Sequence, residues 1–142
     1  MARVKLNLPT KFLFSTEITV RITDINYGGH LGNDALLSLI HEARVRFLKS
    51  HGYTEADIEG VGLIMTDAAL IYKKEVFYDT RLVFEIALSD WSRVGCDFVF
   101  RITEKESGQE VAYAKTGVVF FDYERKKVVP APRGFIAKFQ EE

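Results

Sequence analysis

The sequence predicts an α+β domain in which one long central helix is wrapped by an antiparallel sheet of five or six strands. Three observations lead to this prediction. A single long segment has helical periodicity, several other runs alternate as strands do, and short turns join the later runs. The chain of 142 residues contains no internal repeat and no linker, and it has the length of one domain. We therefore predict a single domain over residues 1–142.

The first strand is predicted over Glu17–Thr23, where apolar and polar residues alternate and one face carries Ile18, Val20 and Ile22. The strand should end at a loop over residues 24–33. Three glycines within five residues prevent regular structure in this loop: Gly28, Gly29 and Gly32. The loop therefore separates the first strand from the helix.

The helix is predicted to begin at an N-cap at Asn33 or Asp34 and to end near Ser50, before Gly52. One stripe of its side chains is apolar and should face the sheet: Leu36, Leu39, Ile40, Ala43 and Phe47. The opposite face is polar. Two of the three histidines, His41 and His51, are predicted to be surface residues.

Four further strands are predicted after a turn-rich stretch. The apolar run Leu63–Glu75 is typical of a central strand, and the later strands should form an antiparallel meander over Arg81–Trp91, Asp97–Glu104 and Glu110–Tyr123. Their inward side chains are predicted to be Leu82, Phe84, Ile86, Leu88, Phe98, Phe100 and Ile102. The outer face should be partly apolar, which favours at least a homodimer: Val83, Ala87, Val99, Ala112 and Ala114.

Composition excludes several classes of function. Nineteen basic and twenty acidic side chains give a net charge of −1, so no global field attracts nucleic acid. No apolar run approaches the ~20 residues of a membrane span, and no signal-peptide pattern is present, so we expect a cytoplasmic protein. The single Cys96 excludes an internal disulfide, and three scattered histidines do not indicate a metal centre.

The loop carries the pattern Asp24-x-Asn26-x-x-Gly29-His30-x-x-Asn33. The segment Val20 to Phe47 resembles the hot-dog-fold thioesterases of the 4-hydroxybenzoyl-CoA thioesterase type, whose signature is Asp-x-Asp-x-x-Gly-His-x-x-Asn and whose helix carries a similar Glu-x-Arg. The order of elements over residues 12–139 fits the same fold. The resemblance implies hydrolysis of an acyl-CoA or acyl-carrier-protein, with coenzyme A only as part of the substrate and no other cofactor, in a homodimer or homotetramer.

One departure from that signature matters for chemistry. Asn26 stands where the family has its catalytic carboxylate, and an amide cannot act as a general base near neutral pH. We expect Asn26 and His30 to position or activate the water. Asp67 could replace the missing carboxylate, because it lies in an apolar run where a buried charge needs a reason. Glu42, on the polar face of the helix, could face the pocket of a neighbouring subunit.

The remaining candidates concern the oxyanion and the frame of the site. Backbone amides of Gly28 and Gly29, with the start of the helix, suit a developing negative charge, and the resemblance gives this role to the amide at Asn33. Asp24 should brace the loop. Arg44 falls on the apolar stripe, and its guanidinium is expected to pair with Asp24 or Asp67 rather than to meet substrate.

Simpler readings of the same residues stay open. The glycines could form only a tight turn, His30 could only pin the loop, and Asp67 could point to the outer face of the sheet. Two further functions are also open. The first is a hot-dog protein that binds acyl-CoA without catalysis. The second is an enoyl-CoA hydratase, although that family's Asp-x-Asn-Pro-x-His motif is matched here only by Asp24-Ile25-Asn26.

Overall fold

The computed structural model describes residues 3–140 of the chain. Its elements in chain order are β1 (Phe14–Thr19), a short 3₁₀ turn (Ile22–Asp24), α1 (Asn33–Ser50), β2 (Gly62–Tyr72), β3 (Arg81–Ser89), β4 (Gly95–Glu104), β5 (Glu110–Asp122), β6 (Lys127–Val128) and α2 (Arg133–Phe139). Five strands run in the order β1-β3-β4-β5-β2, β6 pairs with β5, and every pairing is antiparallel. The α+β architecture with one long helix is confirmed.

The first strand is displaced from its predicted position. It begins at Phe14 and ends at Thr19, before the predicted end at Thr23. The reason is local: the Asp24 carboxylate accepts a hydrogen bond from the backbone N–H of Arg21 at 2.8 Å and so closes a 3₁₀ turn. A side chain that bonds to nearby backbone in this way competes with the strand ladder.

Helix α1 buries the stripe that the periodicity predicts. Its five apolar residues are at most 2% exposed, and Arg44 is 7% exposed among them. Gly32, without a side-chain cap, occupies the N-cap, so the prediction of Asn33 or Asp34 there is wrong by one or two residues. At the other end, Gly52 has a φ of +79°, the left-handed conformation expected of a C′ glycine.

The predicted position of β2 is wrong within this chain. It lies at one edge of the sheet and pairs only with β5 among the described residues, although its apolar sequence is typical of a central strand. Strands β3, β4 and β5 form the predicted meander. The inward residues of β3 and β4 are confirmed, since six are fully buried and Leu88 packs against the core: Leu82, Phe84, Ile86, Phe98, Phe100 and Ile102.

The outer face differs from the prediction. Ala112 and Ala114 are fully buried in the core under α1, because they pair with the inward residues of β4. Ala87 and Val99 do lie on the outer face, but the N-terminal segment runs past them and they are almost inaccessible. Helix α2, which was not predicted, closes one end of the core with Phe135 and Phe139.

Candidate active site

The loop between β1 and α1 is ordered by its own backbone. Asn26 N–H donates to the carbonyl of His30 at 2.9 Å, and Gly29 N–H donates to the carbonyl of Asn26 at 3.0 Å. Gly29 has a φ of +85°, which glycine adopts without strain. The Asn26 side-chain oxygen accepts the N–H of Gly28 at 2.9 Å, so the NH₂ end of that amide is the end that can meet a substrate carbonyl.

The structure brings Asn26, Gly28 and His30 together. A Cβ at position 28 would lie 3.2 Å from Asn26 Oδ1 and 3.3 Å from His30 Nε2. The other ring nitrogen of His30 is 3.4 Å from the carbonyl oxygen of Leu31, a long and weak contact. Glycine at position 28 therefore leaves the space between the amide and the imidazole open.

A cavity of about 320 Å³, here called the loop cavity, lies at the N-terminus of α1. His30 and Asn33 line it together with Leu31, Leu36, Tyr72, Lys73, Lys74, Glu75, Val76 and Val111. The first turn of a helix has free backbone N–H groups and the positive end of the helix dipole. Lysine side chains add positive charge, so the loop cavity is suited to a developing oxyanion or a bound anion.

A second cavity of about 370 Å³, here called the strand cavity, lies between α1 and strands β2 and β5. Half of its lining residues are apolar, and the polar half includes the group His41, Arg44 and Glu55. The full lining is Leu37, Ser38, Ile40, His41, Arg44, Glu55, Leu63, Met65, Thr116 and Val118. Glu55 accepts a hydrogen bond from Arg44 Nε at 2.6 Å and contacts His41 Nε2 at 2.7 Å. Arg44 also donates to Thr116 Oγ1 at 3.3 Å.

The charge state of Glu55 follows from these contacts. Partial burial raises the pKa of its carboxyl, but the hydrogen bonds from Arg44 and His41 outweigh burial and hold the pKa below its ordinary value. The group is therefore an ionised acceptor at neutral pH. Consequently His41 Nε2 must carry the shared proton, which leaves Nδ1 as the basic nitrogen of the neutral ring.

Arg44 is buried and paired as predicted, but neither predicted partner is correct. Asp24 bonds instead to Arg21, and Asp67 lies on another face of the sheet. Sequence reasoning missed Glu55, which lies in the turn-rich stretch after α1. The signal was present on the helix, because His41 and Arg44 are three residues apart and share one face.

Asp24 lies at the start of the loop and braces it. Burial raises the pKa of its carboxyl, but the hydrogen bonds from Arg21 outweigh this effect and lower the pKa overall. Its carbonyl also accepts the N–H of Gly32 at 3.1 Å, which joins the two ends of the loop.

Two other candidate carboxylates lie away from the loop cavity. Asp67 is not buried as its apolar surroundings predict: its side chain is 59% exposed on the outer face, where Lys115 Nζ and the N–H of Gly117 both contact Oδ1 at 3.1 Å. Glu42 is an acceptor for Arg46 at 2.7 Å and lines a groove between α1 and β1. Neither side chain lines the loop cavity or the strand cavity.

Within residues 3–140, no helix is both long and apolar enough to cross a membrane. The same part of the chain contains no group of three or more His, Cys, Asp or Glu side chains arranged for a metal ion. Cys96 is buried, and burial raises the pKa of its thiol to about 12, so this thiol is not a nucleophile at neutral pH.

Comparisons with known proteins agree with this geometry. The family model of the thioesterase-like superfamily matches residues 20–139. No curated protein matches the sequence significantly. Among solved structures, a 1,4-dihydroxy-2-naphthoyl-CoA thioesterase from Synechocystis is similar, with a TM-score of 0.78 and 22% identity over 86% of this chain and 91% of that one.

Two further solved structures resemble the chain. A DHNA-CoA thioesterase from Staphylococcus aureus has a TM-score of 0.76 and 21% identity over 87% of this chain and 84% of that one. A hypothetical protein from Aquifex aeolicus has a TM-score of 0.81 and 22% identity over 90% of this chain and 100% of that one. At this identity the likeness establishes the fold alone, and it confirms the hot-dog architecture.

Proposed function

The chain belongs to the thioesterase-like superfamily, and from this premise we propose that it hydrolyses an acyl thioester of coenzyme A or of acyl-carrier-protein to the free acid and the thiol. The observation that carries the proposal is the loop cavity. There the first turn of a long helix presents backbone N–H groups beside lysine side chains, and His30 of the glycine loop lines the same cavity. Preorganised donors of this kind stabilise the oxyanion of acyl transfer.

The loop residues have distinct roles in this proposal. The first-turn backbone amide of Asn33 receives the carbonyl oxygen as it gains negative charge, whereas the N–H groups of Gly28 and Gly29 already donate to Asn26 and are not free for the predicted oxyanion role. The NH₂ end of Asn26 and the imidazole of His30 flank the open space at position 28, where they orient the carbonyl or the water. None of these roles needs a carboxylate in the loop, so the presence of Asn26 is compatible with catalysis.

The thiol portion of the substrate is proposed to leave through the mouth of the loop cavity. Lys73 and Lys74 line that cavity, and Lys74 is already paired with Glu104 at 2.8 Å. Lys73 lies over the ring of Tyr113 at 4.4 Å and has an ammonium group near the surface. Coenzyme A and the carrier-protein prosthetic group share a phosphopantetheine, whose phosphate such a lysine can bind.

The exposed edge of β2 supports a homodimer. Residues 65–68 are exposed along an 11-residue strand whose sequence is typical of a central strand. An exposed edge strand of this length is a template for pairing with another chain. Antiparallel pairing of β2 with its own copy would turn this edge into the centre of a continuous sheet, and two such dimers could build the homotetramer.

Pairing of β2 with its copy would also bring a cavity of the partner subunit to the site. Tyr72 lines the loop cavity, whereas Leu63 and Met65 line the strand cavity, so the two cavities lie toward opposite ends of β2. An antiparallel pair related by a two-fold axis reverses the strand direction. The loop cavity of one subunit would therefore lie beside the strand cavity of its partner.

The activity is tested by release of free thiol from a panel of acyl-CoA and acyl-carrier-protein thioesters. We expect turnover with at least one acyl class, and we expect a His30→Ala variant to lose activity. Binding of acyl-CoA without thiol release would instead identify the non-catalytic protein that Asn26 also permits. Loss of enoyl absorbance without thiol release would identify a hydratase. Either result would contradict the proposed function.

The assembly is tested by sedimentation equilibrium, with an expected mass of two or four chains. The Ala68→Lys variant places a lysine on the exposed part of β2, and a charged side chain on an edge strand opposes pairing with another chain. Ala68 is exposed in the single chain, so the variant should fold normally and sediment at a lower mass. A wild-type monomer would contradict the proposed pairing of β2.

A further inference from the structure

We propose that His41 is the general base of this hydrolysis and that Glu55 is its positioning residue, a pair here called the His41–Glu55 dyad. The inference rests on the proposed thioesterase function and assigns the proton transfer that Asn26 cannot perform. Such a group must have a neutral, correctly oriented nitrogen in a space that a substrate can enter.

The contacts of the dyad orient the basic nitrogen of His41. Glu55 is fixed from two sides, by Arg44 Nε at 2.6 Å and by His41 Nε2 at 2.7 Å. Arg44 also donates to Thr116 on β5, and this contact helps to hold Arg44, and with it the Glu55 carboxylate, in a fixed position beside the His41 ring. An ionised carboxylate only accepts hydrogen bonds, and it therefore fixes the tautomer of His41 with a basic Nδ1.

The surroundings of the dyad provide a space that a substrate can enter. His41 lines the strand cavity of about 370 Å³, whose apolar residues can hold an acyl group. His41, Arg44 and Glu55 are the titratable groups that line this cavity. The side chain of His41 is 57% exposed in the single chain, so water and substrate can reach its ring.

The base and the oxyanion site of one chain are too far apart to act together. His41 follows Asn33 by eight positions in α1, and this spacing corresponds to about 12 Å along the helix axis. The carbonyl group of one thioester therefore cannot contact the amide of Asn33 while its attacking water contacts His41 of the same chain. Pairing through β2 would solve this problem, because the strand cavity of one subunit would then lie beside the loop cavity of its partner. The dyad is therefore inferred to serve the thioester held by the partner's loop.

The reaction balances with these groups alone. His41 Nδ1 takes a proton from water as the water oxygen bonds to the thioester carbonyl carbon, and the first-turn amides of α1 at Asn33 hold the resulting oxyanion. The carbon–sulfur bond then breaks as the carbonyl re-forms. The departing sulfur receives the proton from the His41 imidazolium, which returns the ring to its neutral form. The products are the free acid and the free thiol.

The test is steady-state kinetics of His41→Ala on a thioester that the wild-type protein hydrolyses. We expect kcat to fall by about 100-fold or more, since general base catalysis contributes about that much, with KM changed less than about threefold. Because the ring is exposed, added imidazole should restore part of the rate in His41→Ala. A merely structural role for His41 would not give this rescue.

The Glu55→Gln variant tests the positioning role. Its kcat should fall, and the acid limb of its kcat–pH profile should move from the wild-type position because the carboxylate no longer stabilises the imidazolium. His51→Gln, at the C-cap of the same helix, and Glu106→Gln, on the distant β4–β5 turn, are matched controls that should keep wild-type rates. Urea unfolding of each variant separates lost chemistry from lost structure.

The outcomes separate the two claims. A wild-type protein that releases no thiol from any substrate would overturn the proposed function, and the role of the dyad with it. A wild-type protein that is active, with a folded His41→Ala variant of equal kcat, would overturn the dyad alone. Loss of activity without imidazole rescue and without a change in the pH profile of Glu55→Gln would also overturn it.

Discussion

The two cavities that flank α1 differ in how their polar groups are fixed. In the loop cavity, the ring of His30 has one long contact of 3.4 Å, and the donors are backbone N–H groups in the first turn of α1. In the strand cavity, the charged side chains are joined by contacts of 2.6 and 2.7 Å. Backbone donors need only the correct turn, whereas a histidine base needs a partner that fixes its tautomer.

This difference predicts that the ion-pair contacts of the strand cavity contribute to the free energy of unfolding and that the side chains of the loop cavity contribute little to it. Arg44→Ala removes a nearly buried guanidinium and leaves Glu55 without its strongest partner. We expect the free energy of unfolding to fall by about 3 kcal/mol, a value typical of breaking a buried ion pair. Urea unfolding at neutral pH measures the change. A loss below about 1 kcal/mol would show that the pair behaves like a surface salt bridge.

The converse variant lies in the glycine loop, beside His30, which lines the loop cavity. Gly28→Val would fill the space between Asn26 and His30, so we expect kcat/KM to fall at least about tenfold while the free energy of unfolding changes by less than about 1 kcal/mol. Ala137→Val, on the exposed face of α2, is the matched control and should keep full activity. If Gly28→Val retained the wild-type kcat/KM, the loop would not hold the reacting group.

The helix and the sheet could be predicted from the sequence better than the site. The stripe from Leu36 to Phe47 and the inward faces of β3 and β4 follow from periodicity, because packing against one core requires it. The edge position of β2 could not be predicted, because its apolar sequence is typical of a strand with two neighbours, whereas among residues 3–140 it pairs only with β5. Glu55 was missed because the spacing of His41 and Arg44 marks only the helix side of the ion pair and does not identify its partner in the loop.

The pH dependence of stability tests the ion pair of the strand cavity, with a smaller expected effect. The folded pKa of Glu55 is lowered, so its stabilising contribution is fully present above its unfolded pKa and is lost as the pH falls through the folded value. We expect wild-type stability to fall more steeply than that of Glu55→Gln as the pH falls below about 4.5, the ordinary pKa value of a glutamate carboxyl. Urea unfolding at several pH values measures both slopes. Parallel slopes would mean that Glu55 is not paired in solution.

The smallest expected effect concerns Cys96 on β4, which lies outside both cavities. Burial raises the pKa of its thiol to about 12, so it should not react with a thiol reagent at pH 8 while the protein is folded. Mass spectrometry should find the label only after denaturation. Rapid labelling of the native protein would show that this part of the sheet opens. The thiol-release assay is then free of a contribution from the enzyme.

The central claim is that one site combines the loop cavity of one subunit with the strand cavity of its partner. The most direct test is the activity of a purified heterodimer that contains one Gly28→Val subunit and one His41→Ala subunit. If the halves come from different subunits, this heterodimer has one intact site of two and about half of the wild-type activity, although each homodimer is nearly inactive. If it is as inactive as the two homodimers, both halves act within one chain, and the account is contradicted.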